Sequence, residues 1–225
     1  MTPKSVAIAV SVLSIAGAAA GAQSRTGSTS RASAKPAPAN LHLVVASTGN
    51  EARYRVREQL ITINFPSDAV GKTSQISGML VVDPNGTIIS DSSKIVVNVQ
   101  SLKSDHASRD KTIRETSLES NKYPLVTFVP TSFVGLTAKP GATAATFSMV
   151  GNLTVHGTTH PVTWTVTAHS QGDDVVGTAL TKFSFEDFGI APPKKAVLLV
   201  PLSVADTVKL EYDFHFAPAA LVAKQ

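Results

Sequence analysis

The sequence predicts an all-β domain of about eight antiparallel strands with one short helix, closed as a barrel or stacked as a two-layer sandwich. Three observations carry this. From Ala52 onward, extended runs rich in Val, Ile, Thr and Phe are separated by Gly, Pro, Asn and Asp, which is how strands and turns are written. The runs alternate with period two. The last is the cleanest, with Val208, Leu210, Tyr212, Phe214 and Phe216 on one side and Lys209, Glu211, Asp213 and His215 on the other, so one face is buried and one meets solvent. Finally, a single stretch, 108–120, has a convincing helical pattern, with Ile113, Ser117 and Leu118 on a narrow face amid charges.

Taken in order, the chain opens with Lys4, an apolar run from Val6 to Ala20, and the small residues Ala20-Gly21-Ala22. Residues 1–22 therefore read as a secretory leader. Its run of about 15 apolar residues falls short of the roughly 20 that a spanning helix needs. Next comes a Ser/Ala/Arg/Pro-rich stretch without period, too poor in apolar surface to fold, and 23–49 are expected to be a flexible tether. The domain is expected over 50–217 and a tail over 218–225. Strands are expected near 52–65, 74–82, 94–102, 125–133, 144–155, 162–170, 175–185 and 207–216. Asp83-Pro84-Asn85-Gly86 and Gln171-Gly172-Asp173-Asp174 are turns by composition. Asp105 or Ser108 is the expected helix cap, and Tyr123-Pro124 stops the helix. Strands 144–155 and 162–170 form a hairpin. Gly157 supplies freedom at its bend, and Pro161 marks the start of the returning strand. Closing the sheet removes exposed edges, and an eight-stranded barrel either fills with side chains or holds one small ligand.

Charge narrows the partners. Four of the twenty basic residues, Lys4, Arg25, Arg31 and Lys35, precede residue 41 while no acid does, which leaves sixteen of each sign in the remainder. A neutral domain lacks the basic surface that phosphate contacts require, so no nucleic-acid partner is expected. The chain has no cysteine. That removes disulfides, a lipid-modified cysteine and a thiol nucleophile, and leaves stability to packing and the sheet.

Polar motifs give no positive case for catalysis. His156 and His160 have the i, i+4 spacing of helical metal ligands, but they flank a hairpin joint and no third ligand stands at a recognisable spacing, so no metal is expected. Asp187-Phe188-Gly189 has the letters of a kinase loop without the other kinase elements. It reads as a strand end where Asp187 and Gly189 turn the chain and Phe188 plugs the barrel rim. No GxSxG is present. The carboxylate pairs Asp173-Asp174 and Glu186-Asp187 are sequence neighbours, which point to opposite faces of a strand. His106, His169 and His215 read as isolated, exposed positions. What remains is apolar: most aromatic side chains lie on the expected strands or their ends, a composition that suits a packed core and a ligand-lined interior equally. Arg109, Asp110, Lys111 and Arg114 form either a solvated helix face or a mouth that holds an anionic head group.

Five segments in order, LKSDHASRDKTIRE, YPLVTF, GNLTVHGTTHPV, DFGI and VADTVKLEYDF, resemble the YceI-like family of exported, lipocalin-like proteins that bind polyisoprenoid lipids. The likeness covers approximately residues 50–216. It implies an antiparallel eight-stranded lipocalin-like barrel closed by a helical segment, with an elongated apolar channel for an isoprenoid chain such as a quinone side chain or polyprenyl phosphate. Arg109 and Asp110 match the family's pair before the helix, Asp187, Phe188 and Gly189 its strand-end motif, and His156 and Gly157 its hairpin. Thr112 stands where many relatives have His, and Phe185 where they commonly have Arg, which removes a basic group from that part of the channel. On this basis the channel wall is expected to comprise Phe128, Phe133, Phe147, Leu153, Val155, Val162, Trp164, Val166, Phe183, Phe185, Phe188, Tyr212 and Phe214, with Arg109, Asp110 and Arg114 at the head group. The expected function is non-catalytic transport or sequestration of a long-chain isoprenoid, a quinone or polyprenyl lipid, by an exported periplasmic or secreted protein. The alternatives are a ligand-free adaptor barrel for an envelope or membrane-protein partner, and a metal-dependent enzyme using His156 and His160.

Overall fold

The computed structural model describes residues 39–60, 67–137, 144–191 and 201–219, with the backbone alone at 59–60 and 201–203. The expected leader, residues 23–38 of the expected tether and the tail from residue 220 lie outside these residues. Within the compact unit Asn40–Gln225 the strands are β1 (Leu41–Val45), β2 (Glu51–Leu60), β3 (Ser67–Thr73), β4 (Ile76–Val82), β5 (Lys94–Asn98), β6 (Lys103–Ser104), β7 (Leu125–Val134), β8 (Ala144–Val155), β9 (Thr158–Gln171), β10 (Asp174–Ser184) and β11 (Pro201–Pro218). One short helix, α1 (Ala107–Thr112), runs into a π turn, Ile113–Ser117.

These eleven segments make eight staves. β1 and β2 both lie along β11, with Val45 opposite Phe216 and Glu51 opposite Asp213, so they are one stave interrupted at 46–50. β3 and β4 pair with β2 and β1, and β6 and β5 pair with β3 and β4. Every stave is antiparallel to its neighbour in sequence, and the last meets the first. The result is the expected closed eight-stranded antiparallel barrel.

Interruptions expose backbone polar groups, and buried side chains take them up. Asn50 serves the first break. Its Nδ2 donates to Ala46 O at 2.9 Å and to His215 O at 3.2 Å, while its Oδ1 accepts from Tyr212 Oη at 2.8 Å and from His215 N at 3.0 Å. His215 is therefore not the isolated residue that the sequence suggested. Its Nδ1 donates to Thr48 O at 3.0 Å, and its Nε2 lies 2.7 Å from Asp174 Oδ2.

Several boundaries differ from expectation. β1 falls inside the expected tether, so the barrel begins at Leu41 rather than at residue 50. LHLVV follows low-complexity sequence and becomes a strand by pairing with β4 and β11. β3, SDAVGKT, is poor in strand formers and is held between β2 and β6. The expected strand 94–102 breaks at Asn98, whose side chain accepts from Gln100 N and starts a 3-10 turn. The helix is capped at His106 without a side-chain bond, because Asp105 is paired with Arg109 instead. The hairpin bends tightly at His156 and Gly157, both at positive φ (51° and 76°), as a two-residue turn requires. β9 therefore starts at Thr158, and Pro161 lies inside it opposite Asn152.

Past β10 the chain makes a 3-10 turn, Glu186–Phe188, ending at Gly189 with φ 63°. Asp187 Oδ2 accepts from Ser184 N at 2.8 Å, and Phe188, 0 % exposed, is driven into the barrel end, as its place in the sequence suggested. Outside, β2, β3 and β11 carry a charge ladder. Arg53 and Arg55 each donate to Glu211 at 3.1 Å, Arg53 also reaches Glu51 and Asp213 at 2.7 Å, and Lys72 reaches Glu51 at 3.0 Å.

Two outcomes follow from this packing. Phe188→Ala is expected to cost about 3–5 kcal/mol, read from the urea midpoint. The Arg55 hydrogen bond, then that of Arg53, hold the Glu211 carboxyl below its ordinary value of 4.5. The stabilisation this provides is complete above that value and is lost as pH falls through the lowered one. Thermal midpoints are expected to hold on the neutral side of 4.5 and to drop below it, with a shallower acid drop in Glu211→Gln.

Candidate functional site

Directly opposed residues on paired strands share a face, so the register assigns every side chain to the interior or the exterior. Phe147 opposes Val166, Gly151 opposes Val162, Phe128 opposes Leu153, Phe133 opposes Met149, Tyr212 opposes Ala179 and Phe183 opposes Val208. All eleven expected channel residues that lie on strands therefore point inward, and Phe185 and Phe188 join them from the turn after β10. The thirteen belong to one apolar cluster or pack against it. Small residues make room for the rings: a Cβ added at Gly151 would stand 2.6 Å from the Phe128 ring, and one at Gly177 would stand 2.7 Å from the Phe214 ring.

The first staves complete the wall with residues the sequence reading omitted. Leu43, Tyr54, Val56, Leu80 and Ile95 are in or against the same cluster. The signal was present in β2, where Ala52, Tyr54 and Val56 alternate with Arg53, Arg55 and Arg57. Burial pushes the Tyr54 and Tyr212 hydroxyls well above the usual tyrosine range, so both stay neutral.

The wall is unevenly sealed. Leu153 and Val166 are 2 % exposed, whereas Phe133, Phe147, Val162, Phe183 and Tyr212 face inward by register and are only partly buried. An inward side chain that still meets solvent borders a space. One such space has a volume of about 810 Å³ and runs along β9, β10 and β11 past Val162, Phe183, Leu210 and Phe188. That is within the range of about 300–1,000 Å³ typical of small-molecule sites. Trp164, inward on β9 and 8 % exposed, carries a buried Nε1–H with no hydrogen-bond partner among the described residues. Phe128 stands edge to face with it at 5.8 Å.

The expected head-group residues dock the helical segment onto the barrel. Arg109 Nη2 donates to Glu58 Oε1 at 2.7 Å, with the two side chains 17 % and 11 % exposed, and its other arm pairs with Asp105. Glu58 opposes Val204 and Ser67, which places it on the inward face. Asp110 Oδ1 accepts from Ser104 N at 2.7 Å, and Arg114 donates to the carbonyls of Gln100 and Leu102 at 3.4 Å. The two histidines of the hairpin separate: His156 bonds Glu119 at 2.8 Å and stands edge to face with Tyr123, while the His160 ring meets Phe188 at 5.3 Å. Among the described residues no three His, Asp or Glu side chains are grouped to hold a metal.

One family model matches most of the chain. The YceI-like domain matches residues 44–216, from within β1 to within β11. A UPF0312 protein of Pseudomonas putida is 38 % identical over 112 residues, which are 46 % of this chain and 55 % of the relative. Protein YceI of Shigella flexneri is 35 % identical over 107 residues, 44 % of this chain and 52 % of the relative. The chain thus spans about half the length of the curated relatives it matches. A polyisoprenoid-binding domain from Saccharophagus degradans superposes with a TM-score of 0.59 at 10 % identity, over 79 % of this chain and 98 % of that one. The domain match takes in all eight staves, and the chain belongs to the YceI-like family.

Proposed function

We propose that this protein binds a long-chain isoprenoid lipid, a quinone or polyprenyl type, and carries or sequesters it without chemistry of its own. The observation that carries the reading is an aromatic wall that faces inward yet stays partly accessible, beside a space of about 810 Å³. The isoprenoid ligand named for the Saccharophagus domain of the same fold supports it. Burial supplies the affinity: at about 0.8 kcal/mol per carbon group, one five-carbon unit contributes roughly 4 kcal/mol before the cost of ordering. Polar selection is sparse. The orphan indole N–H of Trp164 is a donor in an apolar surround, and a ligand carbonyl oxygen would satisfy it. Residues 1–22, with the features of a secretory leader, support action in the periplasm or outside the cell.

Native mass spectrometry of protein expressed in a bacterial host is expected to show a co-purifying isoprenoid, recovered by organic extraction. The chain has one tryptophan, so a titrated isoprenoid quinone is also expected to quench Trp164 emission to a stoichiometric end point. A barrel that purifies without lipid and shows no quenching sinks the reading and leaves the adaptor role. Trp164→Phe keeps the ring and removes the N–H, and calorimetry is expected to show quinone binding weakened about three- to tenfold.

A further inference from the structure

The barrel wall is open along one seam. β9 follows β8 all the way to the hairpin, where Val155 opposes Thr158, and β10 follows β11 as far as Ser184 opposite Thr207. The ladder between β9 and β10, however, runs only from Gln171 opposite Asp174 to Thr165 opposite Leu180. Beyond that point residues 158–164 and 181–184 have no backbone pairing with each other, and Thr181 Oγ1 donates across the gap to Thr163 O at 2.9 Å.

Pro161 supplies a sequence reason. A two-residue hairpin makes Val155–Thr158 a hydrogen-bonded pair, and antiparallel alternation then makes Leu153–His160 bonded and Asn152–Pro161 non-bonded. The nitrogen of Pro161 is therefore turned away from β8 and toward β10, where it has no hydrogen to donate.

The space of about 810 Å³ lies along this seam. It touches Val162, Phe183 and Leu210, which face inward, and Thr163, Leu180 and Lys209, which face outward. Successive strand residues point to opposite faces, so this space reaches residues of both faces of the wall at the seam. Its inner end rests on Phe188, whose ring meets Phe183 at 4.6 Å and His160 at 5.3 Å.

Charge marks the outer lip. Lys182 lies directly opposite Lys209, an arrangement that like charges disfavour. Both are exposed, both border the space, and neither makes an ion pair among the described residues. Their acidic neighbours are engaged elsewhere: Glu211 by Arg53 and Arg55, and Asp187 by Ser184 N.

We propose that the seam between β9 and β10 is a lateral mouth of the barrel, through which an isoprenoid chain passes inward while its anionic phosphate head rests on Lys182 and Lys209. This rests on the lipid-binding reading and places the head group away from Arg109 and Arg114. The full chain is tested with geranylgeranyl phosphate, geranylgeraniol and inorganic phosphate. The wild type is expected to bind the phosphate ester about tenfold more tightly than the alcohol at low salt, and Lys182→Gln/Lys209→Gln to bring that ratio near one. A ratio unchanged in the double variant overturns the head-group assignment, as does inorganic phosphate binding as tightly as the ester. If the wild type binds neither isoprenoid, the lipid-binding reading itself fails. The passage is tested separately in the cysteine-free chain. A bulky maleimide on Leu180→Cys, where Leu180 is 49 % exposed at the lip, is expected to slow uptake of the alcohol about tenfold relative to the same label on Val134→Cys. Equal uptake rates overturn the mouth.

Discussion

Closure on β11 is the constraint on which the rest of the molecule depends. This strand is eighteen residues long, and one edge pairs with β10 while the other pairs first with β2 and then with β1. A one-residue slip along either edge would turn Val208, Leu210, Tyr212, Phe214 and Phe216 out to solvent and bring Lys209, Glu211 and Asp213 into the interior. Burial of those apolar side chains thus sets the register, and the register orients the interior wall. The charge ladder of Arg53, Arg55 and Glu211 reinforces the same alignment from outside, contributing modestly because its members are partly solvated.

The breaks in the wall fall into two kinds. Where the first staves bend, a side chain replaces the missing ladder bonds. Asn50 does so between β1 and β2, and Ser93 does so before β5, accepting from Val81 N at 2.9 Å and donating to Ile89 O at 2.8 Å. Such breaks are tight because an unmet buried polar group is costly. Along the seam between β9 and β10 the main-chain groups face a gap bridged by Thr181. A mouth open to solvent there would let water meet those groups.

The glycines and the aromatic rings act together on the interior. Gly151 and Gly177 let Phe128 and Phe214 lie close against the sheet. The rings thereby pack inside the barrel with little cost in backbone strain.

Much of this was legible along the chain. β8 was bounded correctly, and the interior face of β11 was readable outright, because a period of two is a local property of the residues themselves. The role of Asp187-Phe188-Gly189 was readable for the same reason: an Asp that bonds its own turn, a ring, and a glycine at positive φ are one short device. Other features depend on partners far along the chain. LHLVV is a strand because β4 and β11 flank it, and SDAVGKT because β2 and β6 do. Arg109, Asp110 and Arg114 carry the charges of a head-group site, yet Glu58, Ser104 and two carbonyls claim them. Pro161 looked like a strand start and lies within a strand, where its effect falls on β10. Alternation along the sequence determined which side chains share a face. Only the closed sheet decided which face is inside, where the wall parts and which charges remain uncommitted, because those are properties of pairs of strands rather than of any one of them.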